Sequence, residues 1–345
     1  MPFDFAAVHT PFRIQPGLRR LAPGAAQLTP NRPGDRALRE KLAVLLDHPA
    51  QALVAVPGFD AAPALQALCA HAESEQPAAF GIGPGAAWHA RHLGWSLHGD
   101  EPVGDGPAEI GACLRALPAS WRLPALLALA FAEDFAVIDA ATGRVPWLAV
   151  CLPSHWAPED NVGQHFADVH APVADNAVLI AAGAHLMRLV TGPERWERFV
   201  WTIARSPRLR QHPAHDDAPP WRADANADAD GDAHADAGAD AAQLAARASF
   251  RTEHQTFIPV PLQPQAIFTI HVETQPLALA MAAPADARRV HDALASMSAS
   301  VLAYRGLTDA RERLLAWLAG RADLSNPSNP SNPSNEANNA GGRAE

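Results

Sequence analysis

The chain has 345 residues, enough for one large domain or two ordinary ones with a sizeable buried core. Its 48% hydrophobic and 19% charged residues are typical of a soluble globular protein. The formal net charge of −10 argues against a nucleic-acid-binding surface over the whole protein.

Hydrophobic periodicity predicts a mixture of helices and strands along the chain. The predicted elements, in chain order, are a helix over 36–46, strands over 135–139 and 147–152, a helix over 176–190, a strand over 267–272, a helix over 290–301 and a final helix from Thr308 or Asp309. The turn-forming residues 141–144 predict that the first two strands form a hairpin. Because strands and helices do not alternate regularly, we expect an α+β fold around an antiparallel sheet rather than a doubly wound parallel sheet.

Two segments differ in composition from the rest of the chain. Residues 213–246 are rich in Ala and Asp and predict a solvated insert, and residues 324–345 predict a disordered tail. We therefore expect residues 1–323 to form a single domain that the insert interrupts. A stretch from Asn226 resembles the start of a calcium-binding loop, but Ala237 stands where a bidentate glutamate is needed, so the insert is favoured.

Cysteine positions and the lack of targeting signals predict the compartment. Cys69, Cys113 and Cys151 lie far apart, which excludes a disulfide framework and a cysteine-based zinc site and favours a reducing environment. No apolar run approaches the roughly 20 residues that span a bilayer. We expect a cytoplasmic protein that contacts neither a membrane nor a nucleic acid.

The segment 151–188 is the richest in groups that could carry chemistry, because it contains His155, His165, His170 and His185. Imidazole is the commonest side chain that binds transition metals, and it is the usual proximal ligand of a haem iron. The spacing does not form a zinc cluster. A single histidine at 170, with a proline soon after it to fix the chain direction, suits a haem better, while a surface or core role is the alternative for each histidine.

A second polar cluster occupies residues 251–256, just before the last predicted strand. Strand alternation places Arg251, Glu253 and Gln255 on one face and His254 on the other. An arginine beside a carboxylate could bind a haem propionate or a substrate amine through charge-assisted hydrogen bonds. An ordinary cross-strand salt bridge on a solvated face is the alternative.

Four segments, taken together, resemble a known family. They are FAEDFAVID (131–139), CLPSHWAPEDNVGQHFADVHAPV (151–173), ERFVWTI (197–203) and RTEHQTFIPVPLQPQAIFTIHVETQPL (251–277). In order and spacing they are similar to the haem-dependent oxidative N-demethylase α-subunit family, formerly a domain of unknown function.

The resemblance implies a PAS-like haem-binding fold, with a five-stranded antiparallel sheet and flanking helices. It also implies haem b and the O₂-dependent oxidation of an N-methyl group of a small secondary amine, which releases formaldehyde. Family members work with reductase subunits that carry flavin and an iron–sulfur cluster, and with a folate-handling subunit. A small amine, O₂ and these subunits are therefore the expected partners.

The resemblance assigns the cofactor-binding residues by position. His170, in the segment VHAPVA, is the expected axial ligand of the iron. Arg251 belongs to an RxE motif and is expected beside the haem or the substrate pocket. Arg198 and Trp201 match the outer positions of an RxNW motif and are expected to bind the cofactor.

The expected catalytic residues are Glu253, His254 and Arg251. Glu253 could pair with the ammonium form of an amine, and His254 could donate to bound oxygen if it faces the iron. His254 stands where the family has arginine, and Val200 stands where it has asparagine. Because histidine lacks the permanent charge and five-donor fork of arginine, a non-catalytic PAS-like haem sensor or carrier is the alternative function, and a structural protein without haem is a third.

Overall fold

The computed structural model describes residues 3–221 and 233–323, and within them it is an α+β fold. Its α-helices are α1 (Arg36–Asp47), α2 (Pro49–Ala52), α3 (Ala62–Glu75), α4 (Ala108–Ala116), α5 (Ala119–Ala130), α6 (Pro158–Asn161), α7 (Phe166–Val169), α8 (Ala177–Val190), α9 (Ala233–Arg247), α10 (Leu277–Ala280), α11 (Pro284–Ala295), α12 (Ala299–Tyr304) and α13 (Arg311–Asp323). In the described ranges, no helix is both long enough and apolar enough to cross a membrane.

The strands form two antiparallel sheets. They are β1 (Arg19–Arg20), β2 (Leu53–Ala55), β3 (Phe80–Ile82), β4 (Trp88–Ala90), β5 (Trp95–His98), β6 (Glu101–Gly104), β7 (Asp134–Asp139), β8 (Arg144–Ala149), β9 (Trp196–Ala204), β10 (Ser249–Pro259) and β11 (Gln265–Pro276). The larger sheet has the order β1-β9-β10-β11-β7-β8-β2, and the smaller sheet is β3-β4-β5-β6. Since β1 and β2 are very short, five long strands make up the body of the larger sheet, the number that the resemblance implies.

Most predicted elements occur close to their expected positions, but the helix predicted over 290–301 is divided between α11 and α12, with a break over residues 296–298. The hairpin is formed by β7 and β8, and the helices predicted at 36–46 and 176–190 are α1 and α8. The last predicted strand is longer than expected: β11 also includes residues up to Pro276, because it pairs with β10 along its whole length. The final helix begins at Arg311, a little later than its expected cap.

The predicted insert contains a helix near its end. Helix α9 spans Ala233–Arg247, and its side chains Ala241, Leu244 and Ala245 are buried against the C-terminal helices. The expectation of a solvated insert therefore does not hold for the last turns of α9, where the alanine-rich sequence forms an apolar helix face. Most of the proposed calcium loop and the whole predicted tail lie outside the described residues.

The central strands β9 and β10 separate two faces of the larger sheet. Cross-strand register places Arg198 opposite Gln255, and His254 opposite Phe199 on one side and His271 on the other. We call one side the Arg198 face; it carries Arg198, Arg251, Glu253, Gln255 and Phe257. We call the other the His254 face; it carries Phe199, Trp201, Thr252, His254 and His271.

Each face is covered by different helices. On the Arg198 face, Met187 and Val190 of α8 pack against Ile138, Phe257 and Ala266 of the sheet. The β9 end of the His254 face is covered by α9 to α13, whose apolar side chains surround a cluster that includes Trp201 and Phe250. Burying these apolar faces is the main driving force that holds helices and sheet together.

Candidate functional site

A small, partly open pocket of about 50 Å³ lies between α8 and the Arg198 face. Its walls are apolar apart from one guanidinium, and they consist of Pro16, Leu18, Ile138, Phe166, Leu179, Leu186, Met187, Val190, Arg198 and Phe257. A mainly apolar slot with one charged group is the usual construction of a site for a small molecule or cofactor.

His170 stands beside this pocket at the end of α7. Its ring lies 4.1 Å from the ring of Phe166, a pocket-lining residue, and its Nδ1 atom lies 2.7 Å from the Phe166 carbonyl oxygen. Because a carbonyl only accepts, Nδ1 carries the proton and donates, and the lone pair is on Nε2. A metal-ligating histidine is typically held in this way, with its second ring nitrogen bound to a carbonyl.

Burial and charge keep the His170 imidazole neutral. Desolvation lowers its pKa, the Phe166 carbonyl raises it, and the nearby Arg198 charge lowers it, so the net shift is downward. Among the described residues, Nε2 makes no hydrogen bond. The atom is therefore free to coordinate.

The chain around His170 is fixed by its own hydrogen bonds. The amide of Asn176 donates to the carbonyls of His170 and Ala171, both at 3.0 Å. The next anchor is Asp175, which has a positive φ of 55° and accepts from Ser298 at 2.8 Å and from Ser300 at 3.0 Å. The loop that presents the imidazole is thus tied to the start of α12.

Arg198 is a cation without a partner in the described part of the chain. No hydrogen bond or ion pair reaches its guanidinium, and its Nε atom is completely buried. Burial lowers the pKa of Arg198, and the charge of Glu253 only partly offsets this. A guanidinium whose buried nitrogen is left unpaired is costly, so this side chain is suited to bind an anionic group of a ligand.

Glu253 lies on the same face as Arg198, within a polar network. One of its oxygens accepts from the Ser154 hydroxyl, and the other accepts from the Gln255 amide at 2.6 Å. The Ser154 hydroxyl oxygen in turn accepts from Nε of Arg251 at 2.8 Å and from its Nη2 at 2.6 Å. Glu253 is therefore held rigidly by two neutral donors, with Arg251 behind them.

Arg251 is a buried side chain whose hydrogen bonds connect its own strand, β10, to residues 152–154 and 208–209. It is 1% exposed, and besides Ser154 it donates to the Leu209 carbonyl at 2.8 Å and to the Leu152 carbonyl at 3.3 Å. Burial lowers its pKa to about 10, so the side chain still carries its charge at neutral pH. Its geometry fixes the 152–154 segment behind Glu253.

The structure separates two of the predicted site residues from His170. His254 lies on the opposite face, where its Nε2 is 2.7 Å from Glu197 and its ring stacks on Phe199. Trp201 is also on that face, 4% exposed in the cluster under the C-terminal helices. Thus His170, Arg198, Glu253 and Arg251 share one side of the sheet, while Trp201 and His254 share the other.

The other histidines of the 151–188 segment do not converge on the pocket. His155 is exposed with a φ of 61°, and His165 caps the start of α7 through Nδ1. His185 is exposed on the outer side of α8. Across residues 3–221 and 233–323, no group of three or more His, Cys, Asp or Glu side chains is arranged to hold a metal ion.

Residue-by-residue reasoning missed several side chains that build the site. Ser154 links Arg251 to Glu253, and Asn176 anchors the His170 loop. Tyr304 and Arg305 of the C-terminal region interact electrostatically with Glu253. Ser154 lies within the segment 151–173 that carries the family resemblance, so the sequence offered a signal for it. No motif or spacing in the sequence indicated that residues of α12 would lie near Glu253.

One comparison with known proteins identifies a relationship, and it spans most of the chain. The family model described as haem-dependent oxidative N-demethylase, alpha subunit-like matches residues 40–315. The matched range includes all the strands from β2 to β11, His170 and both faces of the larger sheet. No curated protein matches the chain significantly.

Proposed function

The chain belongs to the family of haem-dependent oxidative N-demethylase, alpha subunit-like proteins, and from this we propose that it binds haem b on the Arg198 face and oxidises a small secondary amine. When bound, haem would supply the O₂-dependent oxidation of an N-methyl group, with release of formaldehyde. The observation that carries the proposal is the His170 imidazole, whose free Nε2 lies beside an apolar pocket containing an unpartnered guanidinium.

The residues present fit a haem in three respects. Haem supplies four nitrogen ligands itself, so a single histidine satisfies the iron where a bare ion would need a cluster. The apolar side chains of this small pocket could contact the edge of a porphyrin ring. The buried Arg198 suits a propionate, which a guanidinium can bind through two parallel hydrogen bonds.

The protein groups would divide the work of positioning. His170 would hold the iron, oriented by the Phe166 carbonyl, and Arg198 would orient the ring through a propionate. Glu253, which Ser154 and Gln255 hold in place, would accept a hydrogen bond from the ammonium form of the amine. Arg251 would act through Ser154 as a positioning residue.

The family description, an alpha subunit, favours an enzyme of several subunits. We propose that electrons come from partner subunits that carry flavin and an iron–sulfur cluster, and that a folate-handling subunit receives the formaldehyde. A PAS-like classification is supported by the five long antiparallel strands and their flanking helices. A cytoplasmic location agrees with the three cysteines, which are all free thiols.

Titration with hemin tests the cofactor assignment. The wild type is expected to develop a Soret band at one equivalent, and His170→Ala is expected to lose the band or change its ligand-dependent position. His185→Ala, on the exposed side of α8, is the matched control and should behave as the wild type. An unchanged spectrum in His170→Ala would exclude this side chain as the ligand.

A second assay separates an oxidase from a haem sensor or carrier. The loaded protein, supplied with dimethylamine, O₂ and a chemical reductant, is expected to release formaldehyde. Glu253→Gln should raise the KM for the amine, because the ammonium loses a charged acceptor. A full Soret band without formaldehyde release from several small amines would favour the sensor or carrier.

A further inference from the structure

The His254 face carries a second cavity, which the proposed function does not use. It opens to solvent, has a volume of about 70 Å³ and lies between the sheet and the N-terminal segment. Its lining includes His254, His271, Thr252 and Thr29 together with the carboxylates of Glu133 and Glu273. The larger sheet separates this cavity from His170.

Two histidines meet in this cavity, and a carboxylate supports each of them. Nε2 of His254 lies 2.7 Å from Glu197, and Nδ1 of His271 lies 2.8 Å from Glu133. His254 and His271 are direct cross-strand partners. Such neighbours have Cβ atoms about 4.5–5.5 Å apart, so both rings can reach the same small molecule.

The two imidazoles differ in protonation. Burial lowers the pKa of His254 more than Glu197 raises it, so this ring is neutral and its proton lies on Nε2 towards Glu197. Burial also opposes the charge on His271, but the hydrogen bond and charge of Glu133 outweigh it and raise the pKa. Paired groups whose pKa values are pushed apart are the usual arrangement of a general base and a general acid.

Each ring keeps one nitrogen available for a ligand. Nδ1 of His254 has no hydrogen-bond partner among the described residues. Nε2 of His271 makes no hydrogen bond in the described structure, although it forms a longer ion pair with Glu273 at 3.7 Å that a ligand would have to share. The hydroxyl of Thr252, a residue only 7% exposed, also lines the cavity and makes no hydrogen bond in the described structure.

We infer that this cavity is a second small-molecule site, in which His254 accepts a proton from an aminol and His271 donates one. An aminol carries a hydroxyl and a nitrogen on the same carbon, so it offers a donor to His254 and an acceptor to His271. Thr252 would bind its hydroxyl oxygen. One acceptor on His254 and one donor on His271 match a small neutral molecule that carries both a hydroxyl and an amine nitrogen.

The step balances without an oxidant or reductant. His254 takes the hydroxyl proton, the oxygen electron pair forms the carbonyl bond, and the carbon–nitrogen bond breaks. The bond electrons go to nitrogen, which takes the proton from His271. The products are an aldehyde and an amine, and exchange with solvent at the cavity mouth returns each ring to its starting protonation state.

The choice of an aminol rests on the proposed function, whereas the acid–base pair does not. Placing one oxygen atom on an N-methyl carbon produces an aminol, and free formaldehyde forms aminols with amines in water. An aminol could therefore reach this cavity from the proposed oxidation or from the reaction of free formaldehyde with an amine. Among the described residues, the other charged groups near the pair are Arg19, which binds Glu197 at 2.9 Å, and Glu273.

The test uses N-(hydroxymethyl)acetamide, a slowly decomposing aminol analogue, with the haem-free and the haem-loaded full chain. We expect formaldehyde release above the buffer rate, and a loss of about 100-fold in His254→Gln and in His271→Gln. Thr252→Val, which keeps the shape of the side chain, should raise KM more than it lowers kcat. His9→Gln, at an exposed histidine, is the matched control.

The imidazole signals in ¹⁵N NMR spectra provide a measurement independent of turnover. A neutral His254 and a protonated His271 are expected at pH 7, and both should shift when the analogue is added. Release at the buffer rate, or variants as fast as the wild type, would overturn the inference. Since haem is not needed in the assay, failure here leaves the Soret and dimethylamine experiments standing, and their failure leaves this one standing.

Discussion

Replacing Arg251 by methionine should destabilise the protein strongly, because this side chain is buried and makes several hydrogen bonds. The side chain is 1% exposed, and three of its hydrogen bonds are short: two to the Ser154 hydroxyl, at 2.8 and 2.6 Å, and one to the Leu209 carbonyl, at 2.8 Å. A hydrogen bond from a charged donor contributes about 1.5–3 kcal/mol, and desolvation of the guanidinium offsets part of the total. We therefore expect a loss of about 3–5 kcal/mol, because the Ser154 hydroxyl and the Leu209 carbonyl also lose their donor inside the protein.

Urea unfolding followed by circular dichroism at pH 7 measures this loss. Arg208→Met is the matched control, because that side chain is 59% exposed and its ion pair with Asp217 is at the surface. Its removal should cost below about 1 kcal/mol. If Arg251→Met loses less than about 1 kcal/mol with an unchanged denaturant slope, the buried hydrogen bonds are not what holds this region together.

Two further predictions concern charges on the two faces of the sheet. Arg198→Leu should stabilise the haem-free protein against urea, because a cation with a buried, unpaired nitrogen is removed. The same variant should bind hemin at least tenfold more weakly than the wild type. Equal hemin affinity in the two proteins would show that Arg198 does not contact the cofactor. The His271–Glu133 pair should contribute fully to stability between the ordinary pKa values of glutamate and histidine, about 4.3 and 6.5. Below this window its contribution is lost as pH falls through the lowered pKa of Glu133, and above it the contribution is lost as pH rises through the raised pKa of His271. Urea unfolding of the wild type and His271→Gln across pH 4–9 measures the difference, and a difference that does not vary with pH would contradict the pairing.

The period of two along β10 predicted the division of its side chains correctly. Arg251, Glu253 and Gln255 lie on one face and His254 on the other, because alternation is a local property of an extended strand. The same rule applied to β9 would have separated Arg198 from Trp201, since an interval of three residues changes face. The resemblance implies that both lie beside the cofactor, whereas the structure places them on opposite faces of the sheet.

Which face the pocket occupies depends on contacts distant in sequence. The pocket exists because α8 packs on the Arg198 face and because Pro16 and Leu18 from the N-terminal segment close one side. The cross-strand pairing of His254 with His271 depends on the register of two strands joined by a turn. The local sequence around either histidine does not predict that register. Local patterns gave the elements, and the two cavities required the tertiary structure.

The hydrogen bonds that Ser298 and Ser300 donate to the Asp175 carboxylate join the loop of His170 to the C-terminal helices. In turn, Arg305, directly after α12, donates to the Trp201 carbonyl at the edge of the sheet. Moving the loop backbone that carries the imidazole would strain this whole connection, from loop to helix to strand. The position of the 170–175 loop and the position of α12 on the sheet are thereby mechanically linked, so a change at one of them is transmitted to the other.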